Sequence, residues 1–210
     1  MSTDDHGGPR PHDLLRLTDR ADVLPADAPA WAHAALAQAP WVVVRRTVAH
    51  QGRIPIGIRG ALRTQRYATA VPPSAVRSRV TPEHLSRYHR ASRDLPALRA
   101  LRDLGPAFDR APFDWGPIGS VGFEMASAVP AVGPASDLDV IVRVAHVTTP
   151  VLHRLSALHT AMLAAPARVD CQVDTPLGAV ALVEMLSAAP RILIKATNGP
   201  RMVSAAELRR

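Results

Sequence analysis

Two aspartates one residue apart, Asp137 and Asp139, stand directly before the apolar run Val140-Ile-Val142. In an extended chain side chains alternate between faces, so both carboxylates point one way, about 7 Å apart, while Leu138 and Val140 point the other. Carboxylates so spaced suit a divalent ion such as Mg2+ shared between protein and phosphate oxygens. Upstream, Gly119-Ser120 follows the short apolar approach Trp115-Gly-Pro-Ile118 and opens a helix-like segment, 121–127. Such a turn offers backbone N–H groups and a hydroxyl to a phosphate. An anion cradle followed by an acidic pair equips a chain for phosphoryl or nucleotidyl transfer. Each part is weak alone: an Asp-x-Asp at a strand start is ordinarily a solvated strand end. The order Gly-Ser, helix, Ser136-Asp-x-Asp, apolar run is far more specific.

A third carboxylate follows from the next extended stretch, Arg168-Val-Asp-Cys-Gln-Val-Asp174. Alternation puts Asp170, Gln172 and Asp174 on one face and Val169, Cys171 and Val173 on the other. If this strand lies beside the one that carries Asp139, Asp170 can complete a metal site or take the proton from an attacking hydroxyl. Asp174 is the reserve; its place at Thr175-Pro176 gives it helix capping as a competing role. Arg59, Arg63 and Arg66 form a basic set readable as a solvated loop, or as a clamp on the polyphosphate or ribose phosphate of a substrate lying between domains. Glu124 either touches substrate or sits on a solvated helix face. Arg143 and Lys195 end apolar runs, as phosphate contacts or as strand-end charges. The histidines supply no metal set: His84 and His89 are five apart and His153 and His159 six apart, so neither pair shares a helix face well. Cys171 alternates onto the apolar side, which makes it a buried, inert thiol.

At 210 residues the chain holds one large or two small domains, with 47% hydrophobic and 20% charged residues as in a globular protein. Its formal charge is +7 and Lys195 is the only lysine, so arginine carries nearly all the cationic charge. Arginine grips phosphate bidentately, which favours an anionic substrate or partner. Aromatic residues make up only 4% and no dense basic run occurs, so a nucleic-acid stacking surface is not expected. One cysteine permits no internal disulfide and fits a reducing compartment. No run of about 18 apolar residues and no apolar leader occurs, so a cytoplasmic protein is expected.

The elements that must position these residues divide at Val71-Pro-Pro73, read as a linker between a small β-rich N-terminal domain (1–75) and a catalytic domain (80–210). In the first, residues 1–11 read as a loose tail and 12–17 as a short strand. Asp27-Ala-Pro29 reads as the N-cap of a helix over 31–39. Strands follow at 41–46, 54–59 and 67–71. In the second, Thr81-Pro82, Thr149-Pro150 and Thr175-Pro176 each put a capping hydroxyl before a helix-starting proline, predicting helices over 82–93, 150–164 and 177–188. A further helix, 96–104, is predicted to stop at Gly105-Pro106. Strands at 115–119, 138–144, 167–174 and 190–196 alternate with these helices, which predicts an α/β fold with a mixed sheet.

The Gly-Ser…Asp-x-Asp arrangement resembles the nucleotidyltransferase superfamily, whose core is like the palm of DNA polymerase beta. Gly119-Ser-Val-Gly-Phe-Glu124, Ser136-Asp-Leu-Asp139, Arg168-Val-Asp170, Ile56-Gly-Ile-Arg-Gly60, Arg10-Pro-His-Asp-Leu-Leu15 and Trp115-Gly-Pro-Ile-Gly-Ser120 narrow it. Together they resemble the malonate decarboxylase holo-acyl-carrier-protein synthases, or phosphoribosyl-dephospho-CoA transferases. That resemblance implies transfer of phosphoribosyl-dephospho-CoA from 2'-(5''-triphosphoribosyl)-3'-dephospho-CoA to a serine of the decarboxylase's acyl carrier protein, releasing pyrophosphate. It further implies that Asp137, Asp139 and Asp170 serve Mg2+ and catalysis, while Gly119 and Ser120 cradle the leaving phosphates. The same transfer to a citrate lyase carrier, a general nucleotidyltransferase and a non-catalytic nucleotide-binding module are the other readings of these residues.

Overall fold

The structure, a computed structural model, describes residues 7–18, 24–62, 64–87 and 93–209. The chain divides into two compact units, residues 1–80 and 81–210. Among the described residues no helix is long and apolar enough to cross a membrane.

Among the described residues the first unit is a five-stranded antiparallel sheet with one α-helix. Strands β1 (Leu14–Leu17), β2 (Trp41–Val44), β3 (Ile54–Arg59), β4 (Arg66–Val71) and β5 (Val76–Val80) lie in the order β4-β3-β2-β1-β5. Period-two burial makes the core: Val42 and Val44, then Ile56 and Ile58, turn inward beside Leu15 and Leu17. Helix α1 (Ala30–Gln38) adds Ala32 to that core, with Trp31 half-buried against it. Its N-cap is Pro29 and no side chain caps it, so Asp27 does not perform the capping expected of it.

Strand β5 was not anticipated. Val71-Pro-Pro73 leads into a single 3-10 turn and then into β5, which pairs antiparallel with β1, so the first unit runs to Val80 rather than to 75. Val76-Arg-Ser-Arg-Val80 is too polar to announce a strand. It is an edge strand with residues 77 and 78 exposed, and its backbone pairing with β1 supplies what its side chains do not. Arg79 of β5 lies 3.7 Å from the fully buried Asp13 carboxylate, which also accepts the Arg10 N–H at 2.9 Å. The Arg10-Pro-His-Asp13 segment is thereby tied down as the turn that starts β1, with His12 in the left-handed region at φ 74°.

The second unit is a six-stranded mixed sheet. Strands β6 (Asp114–Pro117), β7 (Leu138–Arg143), β8 (Val169–Thr175), β9 (Gly178–Ala181), β10 (Arg191–Ala196) and β11 (Gly199–Ser204) lie in the order β11-β10-β9-β8-β7-β6. Only β7 and β8 are parallel; every other neighbouring pair is antiparallel. A parallel pair needs a crossover, supplied by helix α5 (Thr149–Met162). Its cap is Thr148, whose hydroxyl accepts the Val151 N–H, one residue earlier than the expected Thr149. Thr81 does cap its short helix α2 (Pro82–Ser86), by accepting the His84 N–H.

The helix expected over 82–93 ends at Ser86, and residues 88–92 of that range lie outside the described residues. Two further predicted helices differ. Helix α3 (Pro96–Asp109) runs straight through Gly105-Pro106 instead of ending there. Proline inside a helix costs about 3 kcal/mol. Continuing buries Phe108, stacked 4.7 Å from Trp115, and adds it to the Leu98, Leu101 and Leu104 face, an offset of similar size. At Thr175-Pro176 the chain makes a hairpin instead of a helix. The Thr175 hydroxyl donates to the Gly178 carbonyl and accepts the Leu177 N–H. The expected helix over 177–188 is therefore strand β9 followed by the short helix α6 (Leu182–Met185). Gly178, at φ 134° and against the Lys195 backbone, admits no other residue without strain. Strand β11 and the short helix α7 (Ala205–Leu208) complete the unit.

Candidate active site

Helix α4 (Gly119–Ser127) begins where β6 ends, and its first residue lies against β7. Ile118 donates its N–H to the Asp139 carbonyl at 2.9 Å. Gly119 has φ 63°, and a Cβ there would stand 2.1 Å from Asp139 Oδ2. Only glycine lets the carboxylate and the helix start approach so closely. Gly119 is exposed, whereas Ser120, in the first turn, is 7% exposed. Gly116 permits a second close approach: a Cβ there would collide with the Pro82 carbonyl, so α2 lies directly on β6.

Asp137 immediately precedes β7 and Asp139 is its second residue. Both are partly exposed, while Leu138 and Val140 between and after them are fully buried. Strand β8 does lie beside β7, and the register pairs Asp139 with Asp170. Alternation along β8 is as expected: Cys171, Val173 and Thr175 are buried, and residues 170, 172 and 174 are partly exposed. Facing residues on paired strands are about 5 Å apart at Cα. The structure thus brings Gly119, Asp139 and Asp170 together at one end of the parallel pair, with Asp137 at its entrance.

Asp170 is engaged by its neighbour Arg168. Arg168 Nη2 and Nε both donate to Asp170 Oδ1, at 3.0 and 3.2 Å, with the side chains 72% and 45% exposed. Among the described residues no group of three or more His, Cys, Asp or Glu side chains is placed to hold a metal ion. Asp139 and Asp170, on adjacent strands, are oxygen donors of the kind that hard divalent cations take.

The reserve carboxylate, Asp174, has a different role. At the far end of the pair, Arg143 Nη1 meets Asp174 Oδ2 at 2.6 Å and its Nε meets Glu83 Oε1 at 2.5 Å. All three side chains are mostly buried, so Arg143 is neither a phosphate contact nor a free strand-end charge, and Asp174 caps no helix.

Glu124 is neither solvated nor open to substrate. Its carboxylate accepts two hydrogen bonds from Arg93, at 2.9 and 2.6 Å, and the N–H groups of Ala131 and Val132, at 2.7 and 2.8 Å. Burial works against its charged form. The Arg93 bonds, the two backbone N–H groups and the Arg93 charge outweigh that and hold its pKa below the usual value. Glu124 thereby braces the long loop between α4 and β7 that delivers Asp137. No spacing rule would have found this; the acceptors' partners lie seven and eight residues away in an irregular segment. Burial pushes the Cys171 thiol up to about 12, so it is inert as expected.

In the first unit Arg59 and Arg66 are direct register partners across β3 and β4. Arg63 lies outside the described residues. Lys195 is an exposed residue of β10, opposite Pro200 of β11.

Fold and site define a two-unit α/β protein with a carboxylate site on the parallel pair of a mixed sheet. Residues 10–82 match the family model described as phosphoribosyl-dephospho-CoA transferase MdcG N-terminal domain, and 84–206 match the MdcG C-terminal domain. A relative from Pseudomonas aeruginosa is 44% identical over 200 residues, covering 93% of this chain and 92% of its own. One from Pseudomonas fluorescens is 42% identical over 196 residues, 93% of each chain. One from Azotobacter vinelandii is 42% identical over 202 residues, 93% of this chain and 92% of its own. All three bear the name phosphoribosyl-dephospho-CoA transferase. The chain belongs to this family of transferases and is an enzyme. No solved structure matches it at a significant level.

Proposed function

We propose that the enzyme transfers the phosphoribosyl-dephospho-CoA group of 2'-(5''-triphosphoribosyl)-3'-dephospho-CoA to a serine of the malonate decarboxylase acyl carrier protein, in the cytoplasm. Family membership supports the group transferred. The observation that carries the chemistry is the register of Asp139 beside Asp170, with the Gly119 backbone against the Asp139 carboxylate. That pairing supports the palm-like reading of the Gly-Ser…Asp-x-Asp order.

In this reading the serine oxygen bonds to the α-phosphorus while the bond from that phosphorus to the bridging oxygen breaks. Pyrophosphate leaves with the electron pair and Asp170 takes the serine proton. Asp137, Asp139 and Asp170 would hold Mg2+, which supplies positive charge against the charge developing on pyrophosphate. Gly119 and the first turn of α4 direct N–H groups toward phosphate. Arg59, Arg63 and Arg66 are assigned to substrate phosphate. The +7 charge favours an acidic acceptor.

Intact-mass analysis of the apo carrier, incubated with enzyme, donor and Mg2+, tests the proposal. A gain equal to one phosphoribosyl-dephospho-CoA group, lost in EDTA, is expected. No gain with a verified donor, or a gain only on a citrate lyase carrier, overturns the assignment.

A further inference from the structure

Arg168 occupies a carboxylate that the proposed reaction needs. Both of its contacts fall on one oxygen of Asp170, the register partner of Asp139. With the pair intact, one oxygen of Asp170 is taken up by the guanidinium, whose positive charge stands where a cation would bind. The pair is also weak, because both side chains are substantially exposed. An exposed ion pair is worth little and is readily exchanged for a better anion. A phosphate is a better anion for arginine, since it offers more charge and bidentate geometry. The contrast with Arg143 is direct, because that arginine is enclosed by two carboxylates and mostly buried.

We infer that Arg168 is an exchangeable counter-ion, holding Asp170 in the donor-free enzyme and moving to a donor phosphate on binding, which releases Asp170 for catalysis. This rests on the donor and site proposed above. It makes Arg168 a positioning residue that couples donor arrival to completion of the carboxylate site, so that the site is assembled only around its substrate.

The test is binding of inorganic triphosphate by calorimetry in EDTA, with no metal and no turnover. Asp170→Asn frees Arg168, so triphosphate binding tightens by roughly two- to fivefold. Arg168→Gln weakens binding. In the double variant the gain from Asp170→Asn disappears, because no arginine remains to be released. If Asp170→Asn tightens binding equally with and without Arg168, only removal of a repelling charge is at work and the exchange is refuted. If binding ignores both substitutions, the exchange is refuted while the donor reading stands. If the wild-type enzyme binds no triphosphate in EDTA, the exchange is refuted, while the donor reading is decided separately by the intact-mass assay with Mg2+.

Discussion

The two ends of the parallel pair β7–β8 carry the same chemical types and put them to opposite uses. At one end Arg143 meets Asp174 and Glu83, all with side chains at most 17% exposed. At the other, Asp170 meets Arg168 in the open, beside Asp139 and Gly119. Burial makes the first cluster a clamp: removing one member strands the others without water. Exposure makes the second a set of replaceable contacts. The same Arg–Asp pair is therefore fixed or exchangeable according to what surrounds it.

The comparison breaks if the ends respond alike to substitution. The largest effect belongs to the open end. Asp139→Ala is expected to lower transfer on the order of 10⁴-fold, as for loss of an essential catalytic carboxylate, with an unchanged melting temperature. Intact-mass rates and thermal unfolding together check it. At the closed end Arg143→Ala leaves two buried carboxylates unpaired and is expected to cost about 3–5 kcal/mol of stability, measured by urea unfolding. Arg168→Ala should change stability by less than about 1 kcal/mol. Equal losses for the two arginines would erase the distinction.

Gly119→Ala sharpens the picture between these extremes. Its Cβ meets the end of a flexible carboxylate, which can swing aside, so the stability cost is about 1–2 kcal/mol for the left-handed backbone. Swinging Asp139 aside misplaces the site, and transfer should fall about 10²-fold. The smallest effect is that of pH at Glu124. Its folded pKa lies below the unfolded value of 4.5, so its contribution is fully present above 4.5 and lost as pH falls through the folded value. Glu124→Gln should therefore show a shallower loss of stability on acidification below pH 4.5. A slope equal to the wild-type slope would remove Glu124 from its place as brace of the loop before Asp137.

Much of the site was legible in the sequence because strand alternation is a local rule. It placed Leu138 inward, Asp137 and Asp139 outward, and Asp170 on the face opposite Cys171. Less of the fold was, wherever a local signal met a tertiary one. Gly105-Pro106 reads as a stop, yet burial of Phe108 beyond it carries α3 onward. Thr175-Pro176 has the residues of a helix cap, but the Thr175 hydroxyl closes a hairpin instead. Val76-Arg-Ser-Arg-Val80 lacks an apolar face, and only its pairing with β1 makes it a strand.

The sequence by itself determined the element types around the acidic pair, the face each aspartate takes and the inertness of Cys171, since all depend on neighbours within a few residues. Tertiary structure alone decided that Asp170 stands beside Asp139, that Asp174 belongs to Arg143, and that Glu124 holds a loop. Those partners come from segments far apart in the chain, and which of them meet is fixed by sheet register and burial, which no local pattern encodes.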